Sequence, residues 1–144
     1  MILFQAPAIH VTFDLSAPTL PETTSVYLTG STESLGSWNP GKLKMEAEGN
    51  HHWRKEIDLS QPISIEYKYT LGSWQREGAN ASGSPLPNFR ANITGDTSLH
   101  DTITSWTNGQ TRQIQGQITG TVRYHRAMKG AGLKDRDVIV WLPP

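Results

Sequence analysis

The chain has 144 residues, room for one domain of ordinary size with a short appendage, and a hydrophobic fraction of 35% permits a packed core. Thirteen Gly and nine Pro beside only 18% charged residues suit a loop-rich β-protein better than a helical one. Thirteen basic residues balance thirteen acidic ones, so no charge excess directs the chain to nucleic acid or to an anionic membrane, and the absence of cysteine excludes disulfides, a thiol nucleophile and thiolate-bound zinc.

The opening MILFQAPAIHVTFDL lacks a basic stretch and a sustained apolar run, so it does not read as a signal peptide, and no segment is apolar enough to span a membrane. Ile9, Val11, Phe13 and Leu15 alternate with His10, Thr12 and Asp14, the pattern of a half-buried strand. SVYLTG, from Ser25, gives a second strand, and the glycine- and serine-rich STESLGSWNPG after it sets Trp38 in a turn. HHWRKEIDL, from His51, gives a third, with Trp53, Lys55 and Ile57 on one face. His51 and His52 then point to opposite faces and do not share a metal. In PISIEYKYT, Ile63, Ile65, Tyr67 and Tyr69 share one face and Lys68 takes the other.

From Leu71 a stretch without period carries Trp74 and Asn88; loops longer than about 12 residues are commonly functional. FRANI and HDTITSW follow as short strands ending at Trp106, and the polar TNGQTRQ marks a boundary. Beyond it QIQGQITGTVRYH alternates again, and DVIVWLPP is an apolar strand stopped by two prolines. Trp106 and Trp141 lie in apolar strand contexts and read as core. Without helical period or internal repeat, the chain reads as all-β: an immunoglobulin-like antiparallel β-sandwich of about seven to nine strands.

Taken in order, VTFDL, VYLTGSTESLGSWNP, HHWRKEIDL, IEYKYT, PNFR and DTITSW resemble the starch-binding carbohydrate-binding module of family 20, over residues 9 to 106. The tail, Ile118 to Pro144, resembles the leading strands of bacterial esterases with an α/β-hydrolase fold, and YKYTLGSW resembles a segment of their N-terminal modules. These resemblances imply a binding module over 1–106, a linker over 107–116, and the first strands of an esterase over 117–144. They also imply a secreted or periplasmic parent, with polysaccharide and the attached esterase as partners.

A sugar ring has a C–H-rich face and a rim of hydroxyls, so its site needs a flat apolar platform edged by polar groups; tryptophan supplies the largest rigid one. The resemblance makes Trp38 the stacking residue of the first site and Asn88 a hydrogen-bonding partner of the same sugar. Lys68 is placed either to donate to hydroxyls or to protect a sheet edge with its charge. Trp74 departs from the family spacing, and either stacks on ligand or plugs the core. Trp53 matches a tryptophan of the family's second site, but Glu22 and Ala47 stand where that site's other aromatics belong, and its parity with Ile57 equally suits the core.

Catalytic residues are not expected. The chain has no Gly-x-Ser-x-Gly turn for a serine nucleophile. Glu66 and Glu77 flank the expected site but lack the cleft that glycoside hydrolysis requires. No metal or cofactor is called for, and Asn80-Ala81-Ser82 and Asn92-Ile93-Thr94 match glycosylation acceptors only at the level of chance. The expectation is a non-catalytic module that binds polysaccharide, starch first and xylan second, and targets an esterase. The alternative is a structural domain that packs on the esterase or mediates its dimerisation.

Overall fold

The computed structural model describes residues 6–108 with their side chains, together with the backbone of strands over 121–128 and 136–142. The chain divides into two units, Met1–Gln110 and Thr111–Pro144.

In the first unit two sheets stack as a sandwich. One has the order β4 (Glu46–Gly49), β5 (His52–Leu59), β1 (Ile9–Ser16), β9 (Thr97–Thr102). The other has the order β10 (Ser105–Trp106), β7 (Arg76–Ala79), β6 (Ile63–Ser73), β2 (Tyr27–Gly30), β3 (Leu43–Lys44), with β8 (Phe89–Ile93) also on β6. One ladder departs from the antiparallel rule: β1 and β9 run parallel.

The alternation in β1 has the expected consequence. Val11, Phe13 and Leu15 are fully buried, and across the antiparallel ladder Val11 meets Ile57 and Leu15 meets Trp53. From the facing sheet, β6 turns Ile65, Tyr67 and Tyr69 inward. The rings of Phe13 and Tyr67 meet edge to face at 4.9 Å, and Tyr67 stacks on Phe89 at 5.4 Å, geometries that add to the area buried.

One polar group crosses this interior. Asp101, on β9, accepts hydrogen bonds from the hydroxyls of Tyr67 (2.9 Å) and Tyr69 (2.8 Å), both on β6, so a single carboxylate ties the two sheets together. Burial, reinforced by the charge of Asp101, raises the pKa of both phenols well above the ordinary tyrosine value.

Three local features depart from the sequence expectation. The stretch after Thr70 is not a loop from its start: β6 runs on to Ser73, turns at Trp74–Gln75 and returns as β7. A bulge between Thr70 and Ser73 makes this possible, with Gly72 at a φ of 106° that only glycine accepts easily. His51 is not in a strand with His52; it and Asn50 form the two-residue turn between β4 and β5, both at positive φ as a primed hairpin turn requires. HDTITSW divides between β9 and β10, and Trp106 is half-buried against the core. In the second unit, β11 (Thr121–Met128) and β12 (Arg136–Leu142) pair antiparallel, Val122 opposite Trp141; the side chain of Trp141 lies outside the described residues.

Candidate carbohydrate-binding site

The loop after β2 is built to hold one side chain outward. Thr32 caps a short 3-10 turn, Glu33–Leu35, its hydroxyl accepting from the Leu35 amide, and Leu35 is fully buried beneath. Gly36, Ser37 and Trp38 then follow in left-handed conformation, with φ of 77°, 48° and 62°. For serine and tryptophan that backbone costs about 1–3 kcal/mol each, so the surroundings must enforce it. They do so through hydrogen bonds: Ser37 N–H donates to Thr32 O at 3.0 Å, and Trp38 N–H to Gly30 O at 2.9 Å.

The far side of the loop docks on the bulged end of β6. Thr70 donates its hydroxyl to Pro40 O at 2.5 Å, and Gly41 comes so close to Gly72 that a Cβ there would sit 3.0 Å from the carbonyl oxygen. Tyr27 packs its ring against Gly72 from β2. The same bulge aims the tip of the β6–β7 hairpin, where Trp74 is 41% exposed. Trp74 is therefore not a core plug. Its ring centroid lies 6.4 Å from that of the half-buried Trp38, with 41° between the planes.

Lys68 projects from the outer face of the same sheet. Its ammonium meets Glu77 Oε2 at 2.6 Å, and the two side chains retain only 17% and 10% of their exposure. Thr107 fixes Glu77 in turn, its hydroxyl accepting from the Glu77 amide and its own amide donating to the Glu77 carbonyl. The edge-guarding reading of Lys68 fails on topology, because β6 has β2 on one side and β7 and β8 on the other. Continuing the β6–β8 register one step past Tyr67–Phe89 sets Asn88 beside Lys68. Asn88 is exposed and donates to Glu66 Oε2 at 3.2 Å, while Arg90 holds the other carboxylate oxygen at 2.9 Å. Each of the two flanking glutamates thus has a cationic partner.

Trp53 is only 1% exposed, and its indole N–H donates to Thr24 O at 3.1 Å. It backs a shallow groove of about 670 Å³ whose other lining residues include Glu22 and Ala47 but no second aromatic among the described residues. The structure thus brings Trp38, Trp74, Lys68 and Asn88 to one sheet and its adjoining loops, and sets Trp53 in the core of the opposite sheet. Sequence reasoning missed Tyr27, Gly41, Arg90 and Thr107 as parts of the site. Their contributions come from tertiary contacts that no local pattern announces.

The starch-binding domain profile of family CBM_20 matches residues 8–123. The chain belongs to this family. A curated relative, the amylopullulanase of Thermoanaerobacter thermohydrosulfuricus, is 26% identical over 102 residues, 68% of this chain and 7% of its own length. Among solved structures, the family 15 glucoamylase of Hypocrea jecorina superposes with a TM-score of 0.54 at 21% identity over 71% of this chain and 18% of its own. A gamma-CGTase from alkalophilic Bacillus clarkii gives 0.50 at 16% identity over 68% and 15%. At such identities the structures establish the fold alone, and the chain spans under a fifth of each of these relatives.

As a CBM_20 starch-binding domain, the chain is a non-catalytic polysaccharide-binding module on a β-sandwich. A domain of this family needs rigid side chains on a surface a polymer can reach. The tilted tryptophan pair offers a cradle of two planes rather than a flat wall.

Proposed function

We propose that Trp38 and Trp74 form the platform on which an α-glucan chain of starch stacks, with Lys68 and Asn88 donating to its hydroxyls. The observation that carries this reading is the pair itself: two tryptophans from separate loops, 6.4 Å apart, one exposed and the other held at positive φ. An exposed apolar ring beside a half-buried one, held there at the cost of backbone strain, marks a binding surface rather than a folding requirement. Lys68 keeps two N–H donors beyond the one spent on Glu77, and its tether to Glu77 reduces the ordering cost of binding.

The module holds a catalytic domain near its polymer, and the resemblance of Ile118 to Pro144 to the leading strands of esterases is the ground for taking that domain to be an esterase. Starch met outside the cell is too large to cross a membrane intact, and for that substrate the module works outside the cytoplasm. Hydrolysis of a simple aryl ester by the parent protein supports the esterase assignment, and inertness toward it refutes that part.

Affinity-gel electrophoresis against soluble starch, xylan and β-glucan tests the site. Stacking one large aromatic contributes roughly 1.5–3 kcal/mol, so Trp38→Ala weakens starch retardation by about tenfold or more while circular dichroism remains native. Equal retardation of Trp38→Ala and the native chain refutes the platform, and retardation by xylan alone reassigns the polymer.

A further inference from the structure

The outer face of the second sheet continues past Lys68 and Asn88 into a groove of about 510 Å³ lined by Ser31, Ser64, Glu66, Arg90 and Asn92 over a floor of Ile65 and Ala91. The ladders make its position explicit. Glu66 pairs with Arg90 and Ser64 with Asn92 across β6 and β8, while Thr29 pairs with Lys68 on the other side, so successive outward rows descend from Lys68 to Ser64. At about 3.3 Å per residue that distance is about 13 Å.

One link joins the groove to Asn88 and another to the loop that carries Trp38. Asn88 donates to Glu66, and Ser31, which receives the Glu66 amide on its hydroxyl, follows Gly30, the residue that anchors the Trp38 amide.

The side chains in the groove are already organised. Ser64 donates its hydroxyl to Asn92 Oδ1 at 3.1 Å, which turns the Asn92 amide nitrogen, with two donors, away from Ser64. Arg90 uses Nε on Glu66, leaving its two terminal nitrogens on a side chain that is 78% exposed. Glu66 and Arg90 cancel in charge, so the surface suits a neutral ligand rich in hydroxyls rather than a phosphate or an acidic sugar. Planar carboxylate, amide and guanidinium groups held by one another present paired donors and acceptors at little further ordering cost.

We infer that this groove is an extension subsite that takes further glucose units of the chain stacked on Trp38 and Trp74, with Arg90 and Asn92 as its hydroxyl-binding residues. The inference rests on the platform reading above, and deepens it from one stacking point to an elongated track. Its consequence is a dependence of affinity on ligand length.

Isothermal titration with an α-1,4-linked glucose trimer and heptamer tests it. The native chain binds the heptamer about fivefold or more tighter than the trimer. Ser64→Ala with Asn92→Ala abolishes that gain and leaves trimer affinity within about twofold, and Arg90→Gln weakens the heptamer more than the trimer. Trp38→Ala lowers affinity for both ligands. Equal affinity of the native chain for trimer and heptamer overturns the subsite, as does a heptamer advantage that survives in both groove variants. Equal weakening of both ligands by those variants overturns it too. Failure of the native chain to bind either oligosaccharide overturns the platform reading and the subsite together.

Discussion

The ion pair between Lys68 and Glu77 supports a prediction that separates folding from ligand binding. Lys68→Met leaves Glu77 with a side chain only 10% exposed and, among the described residues, without the cation it is paired with. Breaking a buried pair from one side costs about 3–5 kcal/mol. Because Lys68 keeps 17% of its side-chain area in water, the expected loss is somewhat smaller, about 2–4 kcal/mol. Glu77→Gln preserves size and one acceptor, and costs about 1.5–3 kcal/mol for the charge-assisted bond. The double variant removes both charges, so its loss falls short of the sum of the single losses by a coupling of about 1–3 kcal/mol. Urea unfolding followed by tryptophan fluorescence measures all four chains, with an unchanged m-value as the check that only stability moved. Starch retardation of the same four chains gives the second reading. Both chains carrying Lys68→Met bind about five- to tenfold more weakly, the double variant included. Additive losses of stability refute the description of the pair. Restored binding in the double variant refutes a direct role for Lys68.

Asp101→Ala strands two buried tyrosine hydroxyls between the sheets, and calorimetry should show a loss of about 2–4 kcal/mol. Because the folded state holds the pKa of Tyr67 and Tyr69 up while the unfolded chain releases these protons near pH 10, stability falls as pH rises from about 10 upward. Phenolate absorbance of the two groups should therefore appear only with unfolding; titration at the ordinary value in a folded chain contradicts this. Gly30→Ala places a Cβ 2.5 Å from Glu66 O and 2.7 Å from Leu35 Cδ1, so it displaces the Trp38 loop and lowers both stability and starch retardation; native behaviour in both assays counts against the loop architecture. Trp53→Ala opens a core cavity and costs about 3–5 kcal/mol. A stable Trp53→Ala chain with weakened starch binding would instead restore Trp53 to a ligand site.

Some of this architecture could be read from the residues in order. Ile9 to Leu15 and Ile65 to Tyr69 alternate because each strand has one face in the core, and burial imposes its period of two directly on residue type, whereas Ile63, one step further along the same face, is 37% exposed. β7 escaped notice because Arg76-Glu77-Gly78-Ala79 has no apolar alternation; its last three residues are buried, one as half of an ion pair and two as small side chains under neighbouring elements. β3 and β10, at two residues each, are too short to show any period. The ordered fragments from VTFDL to DTITSW carried the family, and Trp38 stood out as a large side chain where turn chemistry called for small ones.

What the sequence determined by itself was the β-sandwich and the family, because periodicity, turn composition and ordered motifs are local and survive without coordinates. Only the tertiary structure decided which tryptophans meet. Trp74 reaches Trp38 because the Gly72 bulge turns the end of β6 toward the docked Gly30–Lys42 loop, and Trp53 is withdrawn because its strand pairs with β1 over the core. Likewise the partners of Lys68, Asn88 and Asp101 come from strands distant along the chain. Such pairings depend on sheet order and register, which are set by the packing of the whole interior and leave no trace in any single stretch of residues.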